Sequence, residues 1–151
     1  NFGIKNAEEI PELGTNAKMN EFEAAMGLCV LDDMQDLHAK RRIVYEFYKK
    51  ELEGVVKFQQ QNEDSTQNYS YFPIILESEE QLKKVEKALN LKDIFPRRYF
   101  YPSLDTLIYI NPKQFCEVSR DISSRILCLP MYAELDSADQ RKIIEIIKDA
   151  V

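Results

Sequence analysis

Two polar residues, Asn16 and Lys18, stand in a glycine-containing turn directly before a strongly apolar run of the chain. The run begins at Phe22, so the turn lies where a helix is predicted to start. The N-terminus of a helix carries partial positive charge, which favours a bound anion such as a phosphate group. Capping of that helix by Asn16 or Asn20 explains the same residues equally well.

A second group of chemically capable side chains occupies residues 95–104, FPRRYFYPSL. It contains Arg97, Arg98 and three successive aromatic residues between two prolines. Arginine forms bidentate hydrogen bonds with phosphate, and aromatic rings offer a face on which a base or a sugar can stack. An edge strand with solvated arginines is the alternative interpretation.

No further pattern indicates a self-sufficient active site. The four glycines are too scattered for a phosphate-binding loop or a dinucleotide fingerprint. The only histidine, His38, is expected on the polar side of a helix, which argues against a histidine-based metal site. Neighbouring carboxylates such as Asp32 and Asp33 point apart on a helix, so we expect solvated charges rather than an acid/base pair.

The composition is that of a single globular domain. The chain has 151 residues, is 44% hydrophobic and carries a formal charge of −6, which disfavours nucleic acid as a partner. No apolar segment approaches the roughly 20 residues that cross a bilayer, so no membrane partner is predicted. Cys29, Cys116 and Cys128 lie in apolar runs, and we expect them to be reduced core residues of a cytoplasmic protein.

Hydrophobic periodicity predicts alternating helices and short strands. This order predicts an α+β domain, a small antiparallel or mixed sheet with helices on one face. The predicted elements are a helical region from about residue 20 to 52 that continues or kinks midway and ends near Gly54, strands over 55–60, 69–76, 94–101 and 125–129, and helices opened by a Ser78 capping box, by residues near Phe115 and by Asp136.

The first predicted helix is apolar on every side between Phe22 and Leu31. A helix of this kind is buried on more than one side. A small domain rarely covers its first helix so completely, so we expect a further domain or a partner subunit to cover it.

At these residues the sequence resembles the C-terminal part of the DegT/StrS-type sugar aminotransferases. The resemblance extends over nearly the whole chain, and the first of its central motifs is the most specific. The motifs are NFG at 1–3, GTNAKMNE at 14–21, AAMGL at 24–28, Arg41-Arg42 followed by Tyr48, the stretch 97–104, and ILCLPMY at 126–132. The RYFYPSL segment looks most like members that act on dTDP-4-keto-6-deoxyhexoses, such as viosamine synthases.

The resemblance implies the small C-terminal α+β domain of a fold-type I aminotransferase, which works with pyridoxal 5'-phosphate. It also implies a homodimer with active sites at the subunit interface, a nucleotide-linked keto-sugar as substrate and glutamate as the amino donor. Asn16, and less strongly Lys18, would contact the cofactor in the neighbouring subunit. Arg98, Tyr99 and Tyr101 would lie near the nucleotide-linked sugar.

In this family, the lysine that holds the cofactor covalently belongs to a large domain that precedes the position of Asn1. Lys18, Lys40 and Lys113 do not stand in that motif, so we expect this stretch alone to be inactive and to hold no catalytic residue. Two other hypotheses stay open. One is a non-catalytic regulatory or sensor relative on the same scaffold, and the other is a freestanding module that binds nucleotide-linked sugars.

Overall fold

The computed structural model describes residues 4–6, 8–15 and 19–151. Four helices and a three-stranded sheet form in the described part of the chain. In chain order they are α1 (Glu21–Glu51), β1 (Lys57–Phe58), β2 (Phe72–Ile75), α2 (Glu79–Asn90), a 3-10 turn (Leu104–Thr106), α3 (Glu117–Arg125), β3 (Ile126–Leu129) and α4 (Ser137–Ala150). The predicted α+β class is therefore confirmed. Across these residues, no helix is long and apolar enough to cross a membrane.

Helix α1 is one continuous helix of 31 residues. Its start is fixed by Asn20, whose side-chain oxygen accepts a hydrogen bond from the Glu23 amide at 3.0 Å. The Glu23 carboxylate in turn accepts one from the Asn20 amide at 2.7 Å, which completes a capping box. The chain turns away after Glu51 through Gly54, whose φ of +76° is a conformation that glycine adopts without strain.

The sheet has the order β1-β2-β3, and both neighbouring pairs are antiparallel. Phe72 lies opposite Leu129 and Ile74 opposite Leu127, and all four side chains are buried. Residues directly opposite each other on antiparallel strands share one face of the sheet. This face, with Phe72 and Ile74 on it, therefore packs into the core, and the other side of the sheet is called the outer face below.

The helices close the core over that inner face. Helix α2 contributes the predicted stripe of Leu82, Val85 and Leu89, and α4 contributes three buried isoleucines. Helix α4 packs against α2 and α1. Gln140 of α4 is buried, and its side-chain amide donates a hydrogen bond to the Val44 carbonyl of α1 at 3.0 Å.

The helix caps follow the sequence with one difference. Asp136 accepts hydrogen bonds from the amides of Ala138 and Asp139, as predicted for the start of α4. Ser78 accepts one from the Gln81 amide, but the Gln81 side chain accepts from Glu77 and not from Ser78. The predicted capping box at α2 is therefore only half formed.

The predicted strand over 94–101 is wrong. Only Arg97 pairs with the sheet, through two hydrogen bonds to Cys128 of β3 at 2.7 and 3.0 Å. Pro96 lacks the amide proton that a continued ladder needs, so pairing does not extend on that side. The stretch 95–103 instead forms a loop, called the aromatic loop below.

Two of the three cysteines also depart from the prediction. Cys128 is buried, and burial raises the pKa of its thiol. Cys29 and Cys116 are exposed, because Cys29 lies on the uncovered half of α1 and Cys116 immediately precedes α3 at the surface.

The hydroxyl of Tyr48 provides a stability test. The side chain is fully buried in an aromatic cluster against Phe72, and its hydroxyl has no hydrogen-bond partner among the described residues. We expect Tyr48→Phe to raise the free energy of unfolding by about 1 kcal/mol at neutral pH, because it removes an unpaired buried polar group. Urea denaturation measures the change, and a loss of stability would contradict it.

The same variant changes how the free energy of unfolding depends on pH in the alkaline range. Burial raises the pKa of Tyr48 above its ordinary value of 10.0. The native state therefore keeps the phenol neutral, and the stability that this gives is complete below about pH 10 and is lost as the pH rises further. Tyr48→Phe should flatten this loss, whereas Tyr71→Phe at an exposed ring should leave it unchanged.

Candidate functional site

The N-terminal end of α1 does not by itself offer an anion site. The capping box takes up the Asn20 and Glu23 amides, and Glu21 and Glu23 place two carboxylates in the first turn of the helix. Both features offset the positive end of the helix dipole. The capping role considered for Asn20 is thus confirmed. Asn16 and Lys18, the predicted cofactor contacts, lie outside the described residues.

A phosphate near α1 would therefore need side chains from the segment that precedes the cap. Residues 14–19 hold that place in the sequence, and among their polar side chains Asn16 and Lys18 carry an amide and an ammonium group that donate hydrogen bonds. The chemistry of this donor set, an amide and an ammonium group, suits a phosphate.

The N-terminal half of α1 is uncovered in the single chain. Phe22 is 86% exposed, and Met26, Leu28 and Leu31 are each more than half exposed. The buried residues of α1 come only from its second half, at Val44 and Tyr48. Adjoining exposed apolar side chains of this kind are typical of surfaces that bind another protein.

Arg98 is a largely buried residue that connects the aromatic loop to three other segments of the chain. Its side chain is only 9% exposed, and one terminal nitrogen donates to Glu79 and to the Ser124 carbonyl, both at 3.2 Å. The other terminal nitrogen lies 3.6 Å from the Glu8 carboxylate. The guanidinium stacks on the Tyr101 ring at 3.7 Å. The interpretation of this arginine as a solvated strand residue is therefore wrong.

Tyr99 lies in different surroundings from Arg98 and Tyr101. Its ring stacks on Phe100, with centroids 5.0 Å apart, and meets the edge of Tyr71 at 5.5 Å. All three of these rings are exposed, Phe100 the most at 72%. The structure thus brings together Arg98 and Tyr101 of the predicted substrate residues and places Tyr99 in a separate set of rings, called the ring ledge below (Tyr71, Tyr99 and Phe100).

Arg97 is the arginine of the loop that faces solvent. Its backbone pairs with Cys128, its side chain is exposed, and the described part of the chain gives it no ion-pair partner. Sequence reasoning offered no basis for separating Arg97 from Arg98. Side chains of neighbouring residues in an extended chain point to opposite sides, which separates Arg97 from Arg98. This rule can be applied only when the pairing of Arg97 with Cys128 is known, and the sequence does not reveal that pairing.

A second buried network fixes the far end of the aromatic loop at Asp105. This carboxylate accepts hydrogen bonds from the Ser103 hydroxyl, from the Cys116 amide at 3.0 Å and from Arg120 at 2.7 Å. These donors lower the pKa of Asp105 to about 2, the Ser103 bond having the largest effect. No sequence motif indicates this network, because its members lie 2 to 15 residues from Asp105 without a regular spacing.

The exposed guanidinium of Arg97 and the exposed rings of Tyr99 and Phe100 lie on the same loop, and such groups suit a nucleotide, since a base stacks on rings and a phosphate pairs with arginine. The two networks described above hold the loop that carries them. The site is thus an outward surface on a fixed loop, not an enclosed active-site cavity.

Comparison with known proteins finds one family whose model matches nearly the whole chain. The model of the DegT/DnrJ/EryC1/StrS aminotransferase family matches residues 1–148. The dTDP-4-amino-4,6-dideoxy-D-glucose transaminase of Shigella dysenteriae is 37% identical over 156 residues, covering 99% of this chain and 42% of the relative. The enzyme of the same name from Escherichia coli is 28% identical over 156 residues, covering 97% of this chain and 42% of the relative.

A solved structure supports the fold. A DegT DnrJ EryC1 StrS aminotransferase from Brucella abortus superposes with a TM-score of 0.77 at 24% identity, over 97% of this chain and 40% of that one. The chain thus spans 42% of the two curated relatives and 40% of this structure.

The Asp105 network predicts an acid-dependent stability difference. The pKa of Asp105 is lowered from 3.8 to about 2. The stability that the ionised Asp105 carboxylate contributes is therefore complete above about pH 3.8 and is lost as the pH falls toward about 2. We expect Asp105→Asn to lower the melting temperature above about pH 4 and to lose this difference from the wild type near about pH 2. Asp64→Asn, at an exposed loop carboxylate, is the matched control; a gap between wild type and Asp105→Asn that stays constant with pH would contradict the assignment.

Proposed function

Because the chain belongs to the DegT/DnrJ/EryC1/StrS aminotransferase family, we propose that it forms the C-terminal domain of an aminotransferase that aminates a nucleotide-linked keto-sugar. Glutamate is the proposed amino donor and a dTDP-4-keto-6-deoxyhexose the favoured substrate. The observation that carries the proposal is the 37% identity to the Shigella dysenteriae transaminase over 99% of this chain. In the cell the product would enter amino-sugar and surface polysaccharide synthesis.

The proposed cofactor is pyridoxal 5'-phosphate, which supplies an electron sink and a carrier for the amino group. In this proposal Asn16 donates a hydrogen bond to the cofactor phosphate, and Lys18 is a weaker second contact. The carboxylates of Glu21 and Glu23 in the first turn of α1 support this division of roles, because they disfavour an anion held by the helix end alone and leave the segment before the cap as the source of further donors. The covalent lysine would come from the large domain of the complete enzyme.

Residues of the aromatic loop provide the proposed substrate contacts. Tyr99 is exposed and available to a ligand, whereas Arg98 and Tyr101 contact each other and the domain beneath them. We propose that Arg98, Tyr99 and Tyr101 all lie near the nucleotide-linked sugar. Because only Tyr99 of the three is exposed, it is the side chain proposed to touch the sugar.

The proposed assembly is a homodimer, in a cytoplasmic protein. The uncovered half of α1 supports it, because Phe22 and Met26, one turn apart on the same side of the helix, form an exposed apolar surface that follows Asn16 and Lys18 closely in sequence. A subunit that covers this surface would receive those two residues next to its own cofactor.

The test of function is amino transfer by the complete enzyme, loaded with pyridoxal phosphate and glutamate and offered a panel of dTDP- and GDP-linked keto-sugars. We expect the amino-sugar product with a dTDP-4-keto-6-deoxyhexose. Asn16→Ala should weaken cofactor binding about 10-fold or more, because it removes a hydrogen bond to a charged phosphate. Cofactor absorbance measures that affinity, and Asn90→Ala at the exposed end of α2 is the control.

Two results of this test would decide against the proposal. A complete enzyme that binds the cofactor but aminates none of the sugars would favour the regulatory or sensor relative. Binding of a dTDP-sugar by residues 1–151 alone, as tightly as by the complete protein, would favour the freestanding binding module.

The assembly is tested by charge on the apolar surface of α1. We expect Phe22→Asp combined with Met26→Asp to convert the complete enzyme from dimers to monomers in sedimentation, because both carboxylates would be buried unpaired on the same side of the helix. Leu91→Asp, at a residue that is also well exposed but lies at the end of α2, should leave the dimer intact. Residues 1–151 alone should dimerise or aggregate, and a stable monomer would count against this interface.

A further inference from the structure

We infer that Arg97 and the ring ledge bind the nucleoside diphosphate part of the substrate, and that Arg98 is a positioning residue without substrate contact. The inference rests on the proposed function and deepens it, because it assigns the phosphate-binding arginine. The resemblance placed Arg98 near the nucleotide-linked sugar without a stated phosphate contact, and the inference gives that contact to its neighbour Arg97.

The sheet register places the Arg97 side chain on the outer face. Phe72 and Ile74 occupy the inner face, so Pro73 between them points outward. Cys128 lies opposite Pro73 on one side and opposite Arg97 on the other. Directly opposite residues of antiparallel pairs share a face, so Arg97 also points outward.

The ring ledge lies on the same side. Tyr71 precedes Pro73 by two residues and therefore shares its face in an extended chain. Tyr99 contacts the Tyr71 ring edge to face at 5.5 Å, and Phe100 stacks on Tyr99. The outer face thus presents one guanidinium and three exposed rings together, from two segments of the chain that are more than twenty residues apart in sequence.

Arg98 is unsuited to a diphosphate for two reasons. Its guanidinium already donates to Glu79 and Ser124 and is covered by Tyr101, so little of it remains accessible. Its neighbours Glu79 and Glu8 are carboxylates that repel a phosphate group. A ligand phosphate at Arg98 would have to displace these contacts first.

Arg97 meets the opposite conditions. It is exposed, and its charge is not neutralised by any carboxylate in the described residues, in a chain with a formal charge of −6. An arginine fork offers paired donors that match two phosphate oxygens. A thymine or guanine base then stacks on the most exposed ring, Phe100, because stacking on an aromatic face tolerates any base.

Arg98 supports this surface from below. It ties the aromatic loop to α2 through Glu79, to the end of α3 through Ser124, and to the N-terminal segment through Glu8. The residues on either side of Arg98 are Arg97 and Tyr99, the two that carry the proposed ligand contacts. Arg97 is held independently by its two backbone hydrogen bonds to Cys128, so a shift of Arg98 would displace Tyr99 and leave Arg97 in place.

Binding of two probes to the complete, cofactor-loaded enzyme tests the assignment by calorimetry. For inorganic pyrophosphate and for dTDP we expect Arg97→Ala to raise the Kd about 10- to 100-fold, as for a lost hydrogen bond to a charged group. Arg97→Lys should recover part of the affinity, because it keeps the charge and loses the fork. Phe100→Leu should raise the Kd for dTDP about fivefold or more and leave that for pyrophosphate unchanged.

Arg98→Lys should give a different pattern. We expect a lower melting temperature, an unchanged Kd for pyrophosphate, and a higher KM for the nucleotide-linked sugar with kcat kept, because the ring ledge is displaced but the phosphate contact is present. Arg141→Ala, which removes an exposed arginine from α4, is the charge control and should change none of these values.

The outcomes separate the assignment from the proposed function. Unchanged pyrophosphate affinity in Arg97→Ala, or a loss of that affinity in Arg98→Lys, overturns the assignment even if the enzyme aminates nucleotide-linked sugars. An inactive complete enzyme overturns the proposed function, whereas the probe affinities are measured without turnover and still decide which arginine binds phosphate.

Discussion

The pairing of β2 with β3 is the constraint on which both the core and the candidate site depend. Because Phe72 lies opposite Leu129 and Ile74 opposite Leu127, four apolar side chains enter the core together. The same register turns Pro73 and Cys128 to the outer face, and Arg97 joins them through its bridge to Cys128. A slip of one residue would send the apolar set outward, so burial of the core fixes the direction of the site as well.

Buried charge then fixes the aromatic loop in place on that framework. Arg98 and Asp105 are both largely buried, and each is paired with an opposite charge and further hydrogen bonds. Breaking such a pair leaves a buried charge without compensation, which is far more costly than losing an exposed ion pair. The contacts of Arg98 and Asp105 therefore hold the loop in place. Its exposed residues, including Arg97 and Phe100, are positioned by these contacts and by the backbone pairing of Arg97 with Cys128, and not by burial of their own side chains.

The sequence predicted the regular elements well and the loop poorly, for a physical reason. Periodicity identifies α2 and α4, because Leu82, Val85 and Leu89 repeat with the helical period. It does not reveal that Arg98 pairs with Glu79 and Glu8, since these contacts join residues 19 and 90 positions apart and leave no local pattern. The resemblance supplied roles for Asn16 and Lys18 that the described residues leave as predictions, and it grouped Arg98 with Tyr99, which the fold separates.

The two halves of α1 lie in different surroundings. Its second half buries Val44 and Tyr48 against the sheet and α4, and this anchors a helix of about 46 Å, 31 residues at 1.5 Å each. Its first half projects beyond that core with Phe22, Met26 and Leu28 uncovered. Packing therefore fixes the second half of α1, and the exposed apolar side chains of its first half are what the proposed partner subunit would cover. In the proposed dimer, a partner that covers the first half of α1 would be joined through this one helix to the core on which the outer face is built.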